Sequence, residues 1–157
     1  MRWLLIDKII ECVPGDSVVA IKTFPLSDLI FMDHFPGYPI VPGVLQIEMI
    51  AQAAGKCASL AHPGVLPVIG SVKSAKFFSH IHPGDLCVIK AQVTKMARTY
   101  MLGEGTIAVD GKKVCSASIL YGLIDRTKLD RPEICSVSRD WVRRAKQEEQ
   151  EEKESVV

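Results

Sequence analysis

Apolar and polar positions divide the chain into a short β-rich opening, one long apolar helix and a longer β-rich remainder. Residues 4–12 are largely apolar, Pro14-Gly15-Asp16-Ser17 supplies turn residues, and Val18-Val19-Ala20-Ile21 follows as a β-branched run. That pattern predicts strand, turn, strand. Next comes His34-Phe35-Pro36-Gly37-Tyr38-Pro39-Ile40-Val41-Pro42-Gly43, too rich in proline for helix or interior strand and therefore a stiff loop. Residues 44–61 contain no proline, are rich in Ala, Leu, Ile and Met, and stop at Pro63-Gly64, which predicts a helix of about five turns. Gln46, Glu48, Gln52 and Lys56 are its polar residues before the last turn, so burial nearly all round is expected.

Beyond the helix, residues 68–78, 86–96, 100–109 and 113–124 read as strands, with turns at Pro83-Gly84-Asp85 and Asp110-Gly111-Lys112. Hairpin-type turns at this spacing argue for an antiparallel sheet. Two strands, a long apolar helix and four strands predict an α+β protein whose sheet wraps the helix. The pattern changes near Pro132. Residues 138–154 place Trp141, Val142 and Ala145 on one side of a strongly charged helix. The expected organisation is a main domain at 1–131 and a C-terminal helical extension at 132–157.

With 157 residues, 48% apolar and 24% charged, the chain suits one globular domain and excludes a wholly disordered or fibrous protein. A net charge of +1 gives no global argument for a nucleic-acid or membrane-surface partner. No run approaches the ~18 apolar residues of a membrane span. The first ten residues, broken by Arg2, Asp7 and Lys8, do not form a secretory signal. Five cysteines without a C-x-x-C pair point to reduced thiols and a cytoplasmic location.

His34 and Glu48 are the residues with chemistry to offer, one on the stiff loop and the other just over a turn into the helix. A carboxyl among Val44, Leu45, Ile47, Met49 and Ala51 is expected to resist ionisation and to serve as a proton donor. Gln52, four residues on, shares its helical face and is expected to orient the acid. A histidine held by Pro36, Pro39 and Pro42 suits a general base. Gly43 and Val44 open the helix, where free N–H groups can stabilise an oxygen that gains charge; Pro42 offers no such donor. Taken singly, His34 is more often a satisfied turn residue and the prolines a plain helix entry.

The stretch HFPGYPIVPGVLQIEMIAQAAG, from His34 to Gly55, resembles the (3R)-hydroxyacyl-[acyl-carrier-protein] dehydratases. It carries in order their H-F-P-G-x-P, their P-G-V-L and their glutamate followed by A-Q. The resemblance implies a hotdog fold, a curled antiparallel sheet around a central helix. It also implies a homodimer with shared active sites, or a trimer of such dimers. His34 would be the base and Glu48 the acid, from opposite protomers. Gly43 would bind the thioester carbonyl, and Val44, Gln52, Phe35 and Pro42 complete the set expected at the substrate. No metal or diffusible cofactor is implied, because the substrate rides on the phosphopantetheine of acyl carrier protein. Lys73, Lys76, Lys95 and Arg98 are candidates for a basic patch facing that carrier. Asp33 stands where the family commonly has glycine and is an expected source of backbone strain. The alternatives on the same fold are an acyl-CoA thioesterase, an enoyl-CoA hydratase or a non-catalytic acyl-carrier-binding protein.

Two other motifs carry less. Gly103-Glu104-Gly105-Thr106-Ile107-Ala108 fits G-x-G-x-x-A but opens no helix. His80 and His82 would share a strand face but lack a strong third ligand.

Overall fold

Six strands and one long helix account for most of the residues that the computed structural model describes, 4–129. In chain order they are β1 (Lys8–Val13), β2 (Ser17–Thr23), a short α1 (Ile30–Asp33), α2 (Gly43–Ala61), β3 (Val65–Phe77), β4 (Leu86–Met96), β5 (Tyr100–Val109) and β6 (Lys112–Asp125). The strands form one sheet in the order β1-β2-β4-β5-β6-β3. The pairs β1–β2, β2–β4, β4–β5 and β5–β6 are antiparallel. Between β5 and β6, Asp110 and Gly111 both take positive φ, 50° and 75°, the geometry of a two-residue hairpin turn whose twist suits the flanking strands.

The sheet must curl, and α2 shows why. The helix touches β2, β4 and β5 and also β3 at the far edge. In a flat sheet β2 and β3 would lie about 19 Å apart, while a helix is only about 10 Å across. Ile50 approaches so closely that a Cβ on Gly105 would sit 2.5 Å from its Cγ2, and one on Gly103 would sit 3.3 Å from Ala54 Cβ. The two glycines of the G-x-G-x-x-A match are therefore where the helix lies on the sheet. Met49, Ile50, Ala53, Ala54 and Cys57 meet Ile89, Ile107, Cys115 and Ile119 in the core. Burial there pushes the Cys87 thiol up to about 12 and the Cys115 thiol up to about 11.

Several expectations need correction. α2 is not buried all round: Val44 is 72% and Leu60 55% exposed, because the sheet covers one side of the helix and leaves a flank uncovered among the described residues. The first strand begins at Lys8 rather than near Leu4, since the Leu5 N–H is taken by a side chain, Gln52 Oε1, instead of a neighbouring strand. α1 was hidden among polar and proline residues. Asp28 Oδ1 accepts the Ile30 N–H at 3.2 Å and buried Phe31 anchors the turn. Asp33 ends α1 without strain, and among the described residues Asp110 is the non-glycine residue with positive φ.

The chain divides into two compact units, Met1–Ile124 and Asp125–Val157. Of the second, the described part is a 3-10 turn, Arg126–Leu129, led by Asp125, whose Oδ1 accepts the Thr127 N–H and hydroxyl at 3.0 and 2.7 Å. The expected helix at 138–154 lies outside the described residues.

Candidate active site

The loop before α2 folds back on itself through backbone bonds. Phe35 and Tyr38 exchange N–H donors at 3.0 and 2.9 Å, and the Ile40 N–H donates to His34 O at 3.1 Å. The His34–Phe35 peptide is cis, and the two rings stack with centroids 4.0 Å apart. His34 Nδ1 lies 2.9 Å from Ile40 O. A carbonyl oxygen can only accept, so Nδ1 carries the hydrogen and the neutral ring keeps its lone pair on Nε2. The imidazole is half-buried, with Nε2 as its ring atom able to accept a proton.

Pro42 caps α2, and its carbonyl accepts from Leu45 N at 3.0 Å and Gln46 N at 3.3 Å. Gly43 and Val44 carry the first two N–H groups, which have no acceptor within the helix. A Cβ at Gly43 would come within 3.0 Å of the Phe77 ring. Sequence reading missed Phe77, which reads as an ordinary strand position and meets Gly43 only because the end of β3 returns to the start of α2.

Glu48 sits one turn into α2, half-buried. Gln52 Nε2 donates to Glu48 Oε1 at 3.0 Å while Gln52 Oε1 accepts the Leu5 N–H at 2.9 Å. The backbone donor leaves the amide one orientation, with its NH₂ toward the acid. Leu5 was not singled out from sequence, because its part is played by the backbone. Tyr121 was also missed. Its ring is buried, and its hydroxyl has no hydrogen-bond partner among the described residues. Burial and, secondarily, the charge of Glu48 raise its phenol above the usual range.

Among the described residues His34 and Glu48 of one chain share no hydrogen bond or ion pair. Phe35 is half exposed at the loop. Lys73 and Lys76 lie on β3, Lys95 on β4 and Arg98 beyond it, all exposed, and β5 and β6 separate the two groups in the sheet. Among the described residues no cluster of three or more His, Cys, Asp or Glu is placed to hold a metal ion, and none of their helices is long and apolar enough to cross a membrane.

Comparison with known proteins gives the family. A family model described as ApeI-like, ApeI dehydratase, matches residues 11–116. The 3-hydroxyacyl-[acyl-carrier-protein] dehydratase FabZ of Enterococcus faecalis is 38% identical over 122 residues, 76% of this chain and 86% of the relative. The chain belongs to this dehydratase family. Its fold is the hotdog fold. The dehydratase heterocomplex ApeI:P from Xenorhabdus doucetiae superposes with a TM-score of 0.60 at 20% identity, covering 73% of this chain and 96% of that one. A hypothetical thioesterase with coenzyme A from Streptococcus pneumoniae gives 0.61 at 18% identity, covering 75% and 85%. At these identities the two structures speak for the fold alone.

Proposed function

We propose that the protein is a hydro-lyase that converts (3R)-3-hydroxyacyl chains, carried on the phosphopantetheine of acyl carrier protein, to trans-2-enoyl chains in fatty-acid biosynthesis. His34 Nε2 removes a proton from C2 of the acyl group. Electrons of that C–H bond form the C2–C3 double bond, the C3–O bond breaks, and Glu48 gives its proton to the departing hydroxyl, which leaves as water. The N–H groups of Gly43 and Val44 hold the thioester oxygen as it gains charge, Phe35 and Pro42 wall the approach, and Gln52 keeps Glu48 in place. The imidazolium and carboxylate then return to their starting states by proton exchange. These groups supply base, acid and oxyanion donors, so the step calls on no metal and no diffusible cofactor.

The site is shared between two copies of the chain, His34 from one and Glu48 from the other. Two features support this: among the described residues no hydrogen bond or ion pair joins the pair within one chain, and Val68, Ile69 and Val72 are exposed on β3, an edge strand of the sheet. An apolar edge of this length is a template for pairing with a second sheet. The assembly is such a dimer or a trimer of such dimers. We place the main domain at 1–131, with 132–157 as an appendage, and the protein in the cytoplasm, in keeping with free Cys12, Cys57, Cys87 and Cys115.

The observation that carries this reading is the paired preparation of the two groups: Ile40 fixes the proton of His34 on Nδ1, and Gln52, tied to Leu5, holds Glu48. The test is turnover of purified protein with 3-hydroxyacyl carrier protein. Enoyl product from the native chain, lost in His34→Ala and Glu48→Gln, supports it. Free thiol release would make the protein a thioesterase, turnover of coenzyme A thioesters alone a coenzyme-A-linked hydratase, and carrier binding without product a carrier-binding protein.

A further inference from the structure

Ile40 holds the candidate base through two bonds, its carbonyl to His34 Nδ1 and its N–H to His34 O. Ile40 is itself pinned on both sides by a segment distant in sequence. Before it, Pro39 O lies 3.2 Å from His82 Nδ1; a carbonyl only accepts, so Nδ1 is the donor. After it, the Val41 N–H donates to Ile81 O at 2.8 Å. One residue further out, Tyr38 and His80 share a hydrogen bond between hydroxyl and Nδ1 at 3.1 Å. The rings of Tyr38 and His82 meet edge to face at 5.7 Å. Residues 80–82 thus grip 38, 39 and 41 of the loop.

His82 is rigid enough for this task. Its N–H donates to Asp85 Oδ2 at 2.7 Å, and the Asp85 N–H returns to His82 O at 3.2 Å, closing the Pro83-Gly84 turn. Pro39 brings no N–H, so its carbonyl is its one polar backbone group, and His82 supplies the donor. Neither histidine belongs to a cluster that could hold a metal among the described residues.

We infer that His82 is a positioning residue for the base, its Nδ1–H fixing Pro39 O so that Ile40 keeps His34 in the Nδ1–H form with Nε2 free to take the substrate proton. This rests on the reading of His34 as base. His82 touches no reacting atom. Its contribution is to keep the neighbouring peptide, and through it the tautomer and aim of His34, in one arrangement.

The test compares His82→Ala, which removes the donor, with His82→Asn, whose side-chain amide restores a donor near the same place. Two readouts are taken: steady-state kinetics with 3-hydroxyacyl carrier protein, and ¹⁵N chemical shifts of the His34 ring. The inference expects kcat to fall about fivefold in His82→Ala with little change in KM, the loss of one exposed hydrogen bond. It also expects the His34 nitrogens to move toward a mixture of tautomers, and both changes to be reversed in His82→Asn. Unchanged kcat and unchanged His34 shifts in His82→Ala would overturn it. So would losses that His82→Asn does not repair. If the native protein shows no dehydration, the function reading fails and the nitrogen shifts alone decide the inference: a moved tautomer balance sustains the positioning of His34, an unmoved one ends it. If His82→Ala does not fold, the same two readouts on His82→Gln, whose longer amide misplaces the donor, take its place.

Discussion

Gln52 Nε2 donates to Glu48 Oε1 across one turn of α2, at 3.0 Å, while its own oxygen is held by the Leu5 N–H at 2.9 Å. Glu48 is thereby tied to the segment that leads into β1. Such a bridge orients a carboxyl without adding a charge beside it. Replacing Gln52 by Leu keeps the volume and loses both bonds. Steady-state assays should show kcat reduced about tenfold, the scale of one lost hydrogen bond to an ionisable group, with KM little changed. Circular dichroism should report an unaltered fold. A variant as active as the native protein would remove Gln52 from the site.

Gly105 lies under Ile50, and a Cβ there would meet Ile50 Cγ2 at 2.5 Å and the Lys90 carbonyl at 2.9 Å. The side chain can shift, but the backbone oxygen cannot do so cheaply. Gly105→Ala should lower stability by about 1–3 kcal/mol, read as an earlier midpoint in urea. Gly111, where a Cβ would meet nothing within 4 Å but φ is +75°, should tolerate Asn better than Val, because asparagine accepts the left-handed conformation and valine does not.

Asp7 supplies a pH dependence with a definite sign. Burial alone would raise its pKa, but Lys22 Nζ at 2.6 Å and the Thr23 N–H at 2.8 Å outweigh that and hold it below the usual 3.8. A carboxyl whose pKa is lower folded than unfolded stabilises the protein above the unfolded value and loses that contribution as pH falls through the folded one. Asp7→Asn should therefore melt earlier than the native protein at neutral pH, by less than about 1 kcal/mol for so exposed a pair. The gap should narrow below 3.8 and close in stronger acid. A gap independent of pH would show that the carboxylate charge has no part in it.

Much of the fold was legible because its signals are local. The proline-free apolar stretch became α2, starting at Gly43 rather than Val44. β4 and β5 have the bounds that the alternation and turns suggested, and Asp110-Gly111 made the expected hairpin. The Gln52–Glu48 hydrogen bond was legible because a four-residue spacing on an apolar helix puts the two side chains on one face. What stayed hidden depends on contacts distant in sequence. Phe77 over Gly43, the Leu5 backbone on Gln52 and the His82 grip on Pro39 each join segments at least 34 positions apart, and no periodicity reports that. The bare flank of α2 was misjudged because an apolar helix looks the same whether its own sheet or a second molecule covers it.

The central claim is that His34 and Glu48 act on one substrate from opposite subunits. His34→Ala and Glu48→Gln chains, each inactive alone, would be mixed under conditions that exchange subunits and assayed for dehydration of 3-hydroxyacyl carrier protein. Each mixed dimer would then hold one intact site and one site lacking both groups. Random exchange should restore about a quarter of the native turnover. No recovered activity, with mixed dimers shown to have formed, would contradict the account.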